Sequence, residues 1–341
     1  MKVMVTGGAG YIGSTLCEGL LKLGHEIICL DRVFFGLALI KDLLMHPNFT
    51  LVRDDIRTVD KSVFENVDVV MDLAGISNDP ACDLDQRITE EVNHQGTVRV
   101  AHLAKESGVK RYILSSSCSI YGAGVEVQLT EQSITKPVSL YAKSKLDAEN
   151  NIKDLADDQF CVTILRSATV YGLSRRMRFD LLVNIMTLHA YIKRKIYVLG
   201  GGQQWRPNVH IQDVCKAFIM TMEAPQEKIN GEVFNVGSNE QNFQVIQVAN
   251  MIRDIVPYTE VEIVHDDPDK RSYNVSFDKI ARVLNYKVER SIMEGAVEVK
   301  QALERGQISG DDMRTSTLKY YRYLLDAERI LEDVCLKGRV F

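Results

Sequence analysis

Apolar residues follow two rhythms along the first half of the chain. Lys2–Thr6, Glu26–Leu30, Phe49–Arg53, Val67–Leu73, Arg111–Ser115 and Cys161–Leu165 are short apolar runs. They read as strands, largely buried on both faces. Between them, apolar positions recur every three to four residues at Tyr11–Lys22, from about Cys82 to Glu106, and at Val138–Leu155. That period marks helices with one face against a sheet. Strands alternating with helices predict an α/β fold with a doubly wound parallel sheet.

Past residue 172 the rhythm changes. A helix over 179–193 leads to a short strand near Ile196–Leu199 and a glycine-rich turn, Gly200-Gly201-Gly202-Gln203-Gln204. His210–Ala224 is mixed, and Glu232–Val236 reads as a strand. Helices follow near 243–254, 276–284 and 293–304, and Thr315–Val334 reads as one terminal helix. The pattern predicts one unit over 1–172 and a smaller C-terminal lobe over 173–341, partly threaded back onto the first.

Composition narrows the function classes. With 341 residues, 45% of them hydrophobic, the chain can bury a large core. A net charge of −5 with 26% charged residues argues against a dedicated nucleic-acid binder, which would carry a basic excess. Seven cysteines, at 17, 29, 82, 118, 161, 215 and 335, form no Cys-x-x-Cys pair. This argues against a disulfide framework or a zinc site, so no metal is expected and a reducing cytoplasm is. The apolar N-terminal stretch runs straight into glycines, unlike a signal peptide. No apolar run reaches the length of a membrane span.

Candidate chemistry begins after the first strand. Gly7, Gly10 and Gly13 occupy a Gly-x-x-Gly-x-x-Gly spacing that opens the first helix. Glycines let the backbone turn tightly and approach a pyrophosphate, and the helix start at Tyr11 and Ile12 offers free N–H groups. A glycine-rich turn without ligand has the same spacing, so context decides. Asp31 ends the second strand, where a carboxylate can bond both ribose hydroxyls of NAD and repel the 2′-phosphate of NADP. Arg32 beside it leaves room for some NADP tolerance. Together these features predict a Rossmann domain that binds NAD.

Tyr141 and Lys145 lie four apart on a helical stretch, hence on one helix face. Upstream, Ser115, Ser116, Ser117 and Ser119 cluster at a strand end, where a parallel sheet borders its ligand crevice. Alcohol oxidation needs a base for the hydroxyl proton while hydride leaves the carbon. Bringing a tyrosine from about 10 to about 7 takes roughly 4 kcal/mol of phenolate stabilisation, which a nearby ammonium and a positive nicotinamide can supply. A serine hydroxyl then holds the substrate oxygen. The spacing recurs at Tyr191–Lys195, which lacks the serine-rich strand end and reads as a helix surface pair.

Taken together, these residues resemble the extended short-chain dehydrogenase/reductases, and within them the nucleotide-sugar epimerase/dehydratase group, of the UDP-galactose 4-epimerase type. The similarity spans about residues 1–290. It implies that Tyr141 is the base, Lys145 tunes it, and Ser117 orients the reacting hydroxyl, with Ser116 the neighbour easily confused with it. Asp55 and Ile56 resemble an adenine contact. Leu73, Ala74 and Gly75 resemble the loop beside the cofactor, and Asn93 sits where a structural asparagine is usual. Arg206, in Arg206–Val214, resembles the arginine that grips a substrate diphosphate, and Arg271 a second phosphate- or nucleotide-binding arginine. Surface salt bridges are the other reading of both.

The chain also departs from the family pattern. Thr169 stands where an asparagine commonly contacts substrate. Ser174–Asp180, with Arg178 among its arginines, replaces a proline-rich lid; its arginines either line a different anionic pocket or are simply solvated. Ser117 is followed by Cys118 and Ser119 rather than the Asp-Glu pair of 4,6-dehydratases, which argues against dehydration. The resemblance implies an NAD-dependent enzyme acting on a nucleotide sugar, with 4-epimerisation through a 4-keto intermediate favoured. The alternatives are a net 4-dehydrogenase or ketoreductase in bacterial surface-glycan synthesis, and a non-catalytic NAD-sensing protein. Arg206 and Arg271 disfavour an apolar substrate. The family also implies a homodimer built on the helices near 82–106 and 138–155, through residues such as Val92, Val100, Leu103, Leu146 and Ile152.

Overall fold

Twelve strands alternate with helices in a computed structural model that describes residues 1–122, 128–265, 271–336 and 338–339. In chain order the strands are β1 (Lys2–Thr6), β2 (Glu26–Leu30), β3 (Phe49–Val52), β4 (Val69–Asp72), β5 (Arg111–Ser117) and β6 (Cys161–Ser167). They continue with β7 (Thr169–Tyr171), β8 (Lys195–Leu199), β9 (Trp205–His210), β10 (Glu232–Val236), β11 (Asn242–Gln244) and β12 (Glu260–Val264). Seven form one sheet in the order β10-β6-β5-β4-β1-β2-β3, all pairs parallel. The order reverses between β1 and β4, which opens a crevice beyond their carboxyl ends.

Alternation along each strand sorts side chains into two apolar layers. Val3, Val5, Cys29, Met71 and Ile113 face one layer, where the helices Tyr11–Lys22 and Ile211–Glu223 pack. Met4, Ile28, Val70, Tyr112 and Leu114 face the other, with the helices Thr97–Glu106 and Leu140–Lys153. A third core, including Val183, Ile196, Val248 and Ala296, holds the region around β8 and β12, outside the main sheet.

The strands β7, β9, β11 and β12 have no counterpart in the pattern reading, and two segments read as helical or mixed differ from it. The helical run from Cys82 to Glu106 is interrupted: a short helix Asp79–Cys82 stops, and Asp85 caps a new start by accepting from the Ile88 amide. The path then widens into a π-helical stretch, Glu91–Gly96, before Thr97–Glu106. Inside that stretch Asn93 turns inward and bonds both backbone groups of Ile76. The mixed segment His210–Ala224 is a regular helix, Ile211–Glu223, capped by the His210 ring.

The residues singled out for a dimer face are mostly employed within the chain. Val100 and Ile152 are completely buried in the layer under the sheet, and Val92 and Leu103 pack against the same layer. Leu146 packs against the opposite one. Among the described residues, no helix is long and apolar enough to cross a membrane, and no cluster of His, Cys, Asp or Glu could hold a metal ion. All seven cysteines are free thiols.

Candidate active site

The glycine loop is closed to side chains. Gly7 has φ +66°, and a Cβ there would stand 2.9 Å from the Ala74 backbone. A Cβ on Gly13 would lie 2.2 Å from the Gly7 carbonyl oxygen. The loop therefore lies tightly against the chain leaving β4, and the first helix starts tightly on the loop, with Tyr11 at its first position. No side chain caps it and no acid sits in its first turn. Its leading amides and the positive end of its dipole are left for an anionic ligand. Asp31, at the end of β2, braces this loop: its carboxylate accepts from the Ala9 amide at 3.0 Å and the Val33 amide at 2.6 Å. Burial pushes the Asp31 carboxyl up, and those two amides counter it. Lone pairs remain on both oxygens for further donors. Arg32 is drawn away by Asp55, with which it pairs at 2.9 Å, and Arg57 takes the same carboxylate.

Beneath the loop lies a buried polar node. Asp72, at the end of β4, accepts from the hydroxyls of Thr6 and Tyr112, while the Thr6 oxygen accepts from the amides of Leu73 and Ala74. This holds Leu73, Ala74 and Gly75 in place. Asn93 continues the support through Ile76.

β5 runs two residues further than the apolar pattern indicates, and alternation splits its serines. The Ser116 hydroxyl donates to Glu149, itself bound to Arg166 at 2.7 Å in a buried ion pair. Ser117 points the other way, into the cleft that Tyr141 also lines, where its hydroxyl accepts from the Ser119 amide at 3.2 Å. The helix Leu140–Lys153 begins where the Ser139 side chain accepts from the Ala142 amide, so Tyr141 and Lys145 sit one turn apart at its start. Lys145 donates to the Ser115 carbonyl at 3.1 Å. Burial lowers the Lys145 ammonium, and Asp72, Cys82 and Glu149 counter that. Burial also raises the Tyr141 phenol, with Cys82 and Asp79 adding to the rise and Arg178 and Ser117 opposing it.

A single cleft of about 1000 Å³ gathers these groups. Its cofactor side holds Gly7, Gly10, Tyr11, Ile12, Gly13, Asp31, Arg32, Asp55, Ile56, Leu73, Ala74 and Gly75. Its other side holds Ser117, Tyr141, Lys145, Thr169, Arg178, Arg206 and Arg271. Arg178 is bound by Asp180 at 2.7 Å, and Asn78 donates to the same carboxylate. Burial would raise Asp180, but Arg178 and Asn78 outweigh it and hold the carboxyl at about 2. Arg271 pairs with Asp79 at 2.7 Å; Arg206 donates to the carbonyls of Trp205 and Arg271 and lies 5.5 Å from the Tyr273 ring centre. His210 and Asp213, from the same segment as Arg206, do structural work. His210 meets Glu298 at 3.0 Å, and Asp213 accepts from the amides of Glu289 and Arg290.

The cleft also contains groups that sequence reasoning missed, Asn78, Asp79, Ser167 and Tyr321, beside Ser119 of the serine cluster. Asn78 Oδ1 and the hydroxyls of Ser119 and Ser167 are buried without hydrogen-bond partners. Unmet polar atoms in a cleft suit a polyhydroxyl ligand. Tyr321 comes from the far C-terminus, and no local pattern announces it. The second Tyr-x-x-x-Lys pair lies elsewhere: Lys195 forms an ion pair with Glu262 on β12.

A family model for the NAD dependent epimerase/dehydratase family matches residues 3–237, and the chain belongs to that family, whose cofactor is NAD. An uncharacterized UDP-glucose epimerase of Bacillus subtilis (strain 168) is 31% identical over 267 residues, 75% of this chain and 82% of that protein. UDP-glucuronic acid decarboxylase 1 of Arabidopsis thaliana is 29% identical over 311 residues, 86% of this chain and 68% of that one. Among solved structures, the UDP-glucuronic acid 4-epimerase of Bacillus cereus, in complex with UDP-glucuronic acid and NAD, superimposes with a TM-score of 0.81. It is 24% identical and covers 89% of this chain and 99% of its own. The fold is thus that of NAD-dependent nucleotide-sugar enzymes, and the uncapped glycine loop beside Asp31 has the room and charge that NAD requires.

Proposed function

We propose that the protein interconverts a nucleotide sugar and its 4-epimer. Bound NAD supplies the hydride acceptor that later returns the hydride, and it adds positive charge beside the phenol. Tyr141 takes the proton of the substrate hydroxyl as the base, and Ser117 holds that oxygen. Lys145 favours the phenolate through its charge. With one donor spent on Ser115, its ammonium keeps two for the cleft. The resulting keto sugar would turn over in the cleft so that its carbon takes hydride back on the opposite face, and Tyr141 returns the proton to the same oxygen. Arg206 and Arg271 are assigned to the substrate diphosphate, which guanidinium groups bind well, and Thr169 and Arg178 to the sugar side.

The observation that carries epimerisation over dehydration is the state of the cleft carboxylates. Elimination of water from a sugar needs a free acid and base beside the reacting carbons. Ser117 is followed by Cys118, whose thiol donates to the Arg166 carbonyl, and by Ser119. Two carboxylates that line the cleft, Asp79 and Asp180, are each held by an arginine. The test is incubation of the purified enzyme with UDP-, dTDP-, GDP- and CDP-sugars, with products followed by NMR and absorbance in the NADH band. A 4-epimer without NADH accumulation is expected. A stable keto sugar with stoichiometric NADH would mean a net dehydrogenase instead. The proposal includes a homodimer, which light scattering tests directly.

A further inference from the structure

Arg176 is a buried cation, 3% exposed. Among the described residues no carboxylate pairs with it, and its Nε has no hydrogen-bond partner. Its guanidinium lies 3.8 Å from the centre of the Phe35 ring, and Nη2 donates to the Thr317 hydroxyl at 2.8 Å. Burial lowers the guanidinium to about 10, and Arg178 adds to that. A desolvated charge with donors to spare costs free energy unless an anion meets it. Arg176 lines the cleft, so an anion can reach it.

The surroundings say which anion. Phe35 lies four residues past Asp31, and Tyr11 begins the helix of the glycine loop; both line the cleft with Arg176. From the opposite direction comes the helix Thr317–Val334. Its first turns are tied down: Thr317 is buried, the Tyr320 hydroxyl donates to the Phe34 carbonyl at 2.9 Å, and the Tyr320 ring stacks on Phe35 at 5.3 Å. Tyr321 packs edge-on to Phe34 at 5.9 Å, and its hydroxyl has no hydrogen-bond partner among the described residues. The family model ends at residue 237, well before this helix. The substrate diphosphate has its own candidate cations in Arg206 and Arg271, on the other side of the cleft.

We propose that the C-terminal helix completes the cofactor site, holding Arg176 and Tyr321 as a cation and a hydroxyl against the NAD diphosphate, opposite the glycine-loop amides. The glycine loop grips the diphosphate from one side through dipoles. Arg176 then supplies the formal charge, and Thr317 fixes where that charge sits. This rests on the family's use of NAD and not on the epimerisation reading, because binding needs no turnover.

The test is calorimetric titration of nucleotide-stripped protein with NAD, ADP-ribose, adenosine, and the free diphosphates UDP, dTDP and GDP. Wild type, Arg176→Met, Arg176→Lys and Tyr321→Phe are compared, with thermal unfolding recorded for each. Arg176→Met should weaken NAD and ADP-ribose at least tenfold and leave adenosine and the free diphosphates as in wild type. Arg176→Lys should recover part of the loss, and Tyr321→Phe should weaken NAD by a few-fold. Unchanged NAD affinity in Arg176→Met overturns the proposal. So does loss confined to UDP, dTDP or GDP, which would give Arg176 to the substrate. Equal loss for adenosine would point to pocket shape rather than charge and overturn it as well. If Arg176→Met fails to fold, Arg176→Lys and Tyr321→Phe carry the test, and wild-type NAD affinity in both is the negative result.

Discussion

Ser116 and Ser117 are consecutive on β5 and serve opposite sides of the sheet: Ser116 donates to the buried Glu149, and Ser117 faces the cleft that Tyr141 lines. Their substitutions should separate stability from catalysis. Ser117→Ala should lower kcat by about 10², the scale of removing one donor at a reacting oxygen, with little change in unfolding temperature. Ser116→Ala should do the reverse, costing about 1–3 kcal/mol because a buried carboxylate loses a donor. Steady-state kinetics and thermal unfolding of the two variants decide it.

Tyr141→Phe removes one oxygen and keeps the ring. A positioned base contributes about 10²–10⁴ in rate, so kcat should drop by that order while NAD still binds. Lys145→Met should move the rising limb of the pH–rate profile to higher pH, because losing a nearby positive charge raises the phenol further. Tyr191→Phe should be nearly silent. If Tyr191→Phe abolishes turnover and Tyr141→Phe does not, the assignment of the base is wrong.

The contrast between those two tyrosines shows how far the chain could be read. β1, β2 and β10 fall where the apolar runs place them, because strands covered on both faces carry continuous apolar signals. The cleft residues at strand ends were legible for the same reason. The π-helical turn at Asn93 was not, because it depends on a long-range bond to Ile76. Nor were the pairings of Arg271 with Asp79 and of Arg206 with the Arg271 carbonyl, since those partners come from distant segments. Tyr321 joins the site across 290 positions from Asp31, beyond any local spacing rule.

Asp31 should make NAD bind at least tenfold more tightly than NADP. Asp31→Ala should narrow that preference, and it should also weaken NAD itself, since the Ala9 and Val33 amides lose their acceptor. Titration of both cofactors against both proteins measures this, and equal wild-type affinities would refute it.

Arg206→Ala and Arg271→Ala should each raise KM for the nucleotide sugar more than tenfold, since each removes a charge-assisted contact. Arg271→Ala should also slow turnover, because it frees Asp79 to raise the Tyr141 phenol. Unchanged kinetics in both variants would show that the substrate carries no diphosphate there.

Asp180 titrates near 2 when folded against an ordinary value of 3.8. Its folded value is depressed, so its contribution is fully present above the unfolded value and is lost as pH falls from about 4 toward 2. The shift corresponds to about 2 kcal/mol. Asp180→Asn should therefore be less stable than wild type at pH 7, with the gap shrinking below pH 4. Urea unfolding across that range tests it, and a gap independent of pH would remove the charge from the explanation.

The parallel pairing of β10 with β6 has a consequence for how the molecule is made. Val162 cannot satisfy its neighbours on the sheet rim until residue 231 has left the ribosome, because the Gly231 amide donates to the Val162 carbonyl at 2.8 Å. A nascent chain stopped near residue 172 would carry Ser117, Tyr141 and Lys145, the residues proposed for catalysis, yet it would present a bare, apolar strand edge to its neighbours. Such an edge recruits other chains. Stalled synthesis between β6 and β10 would thus leave this sheet open to pairing with other chains.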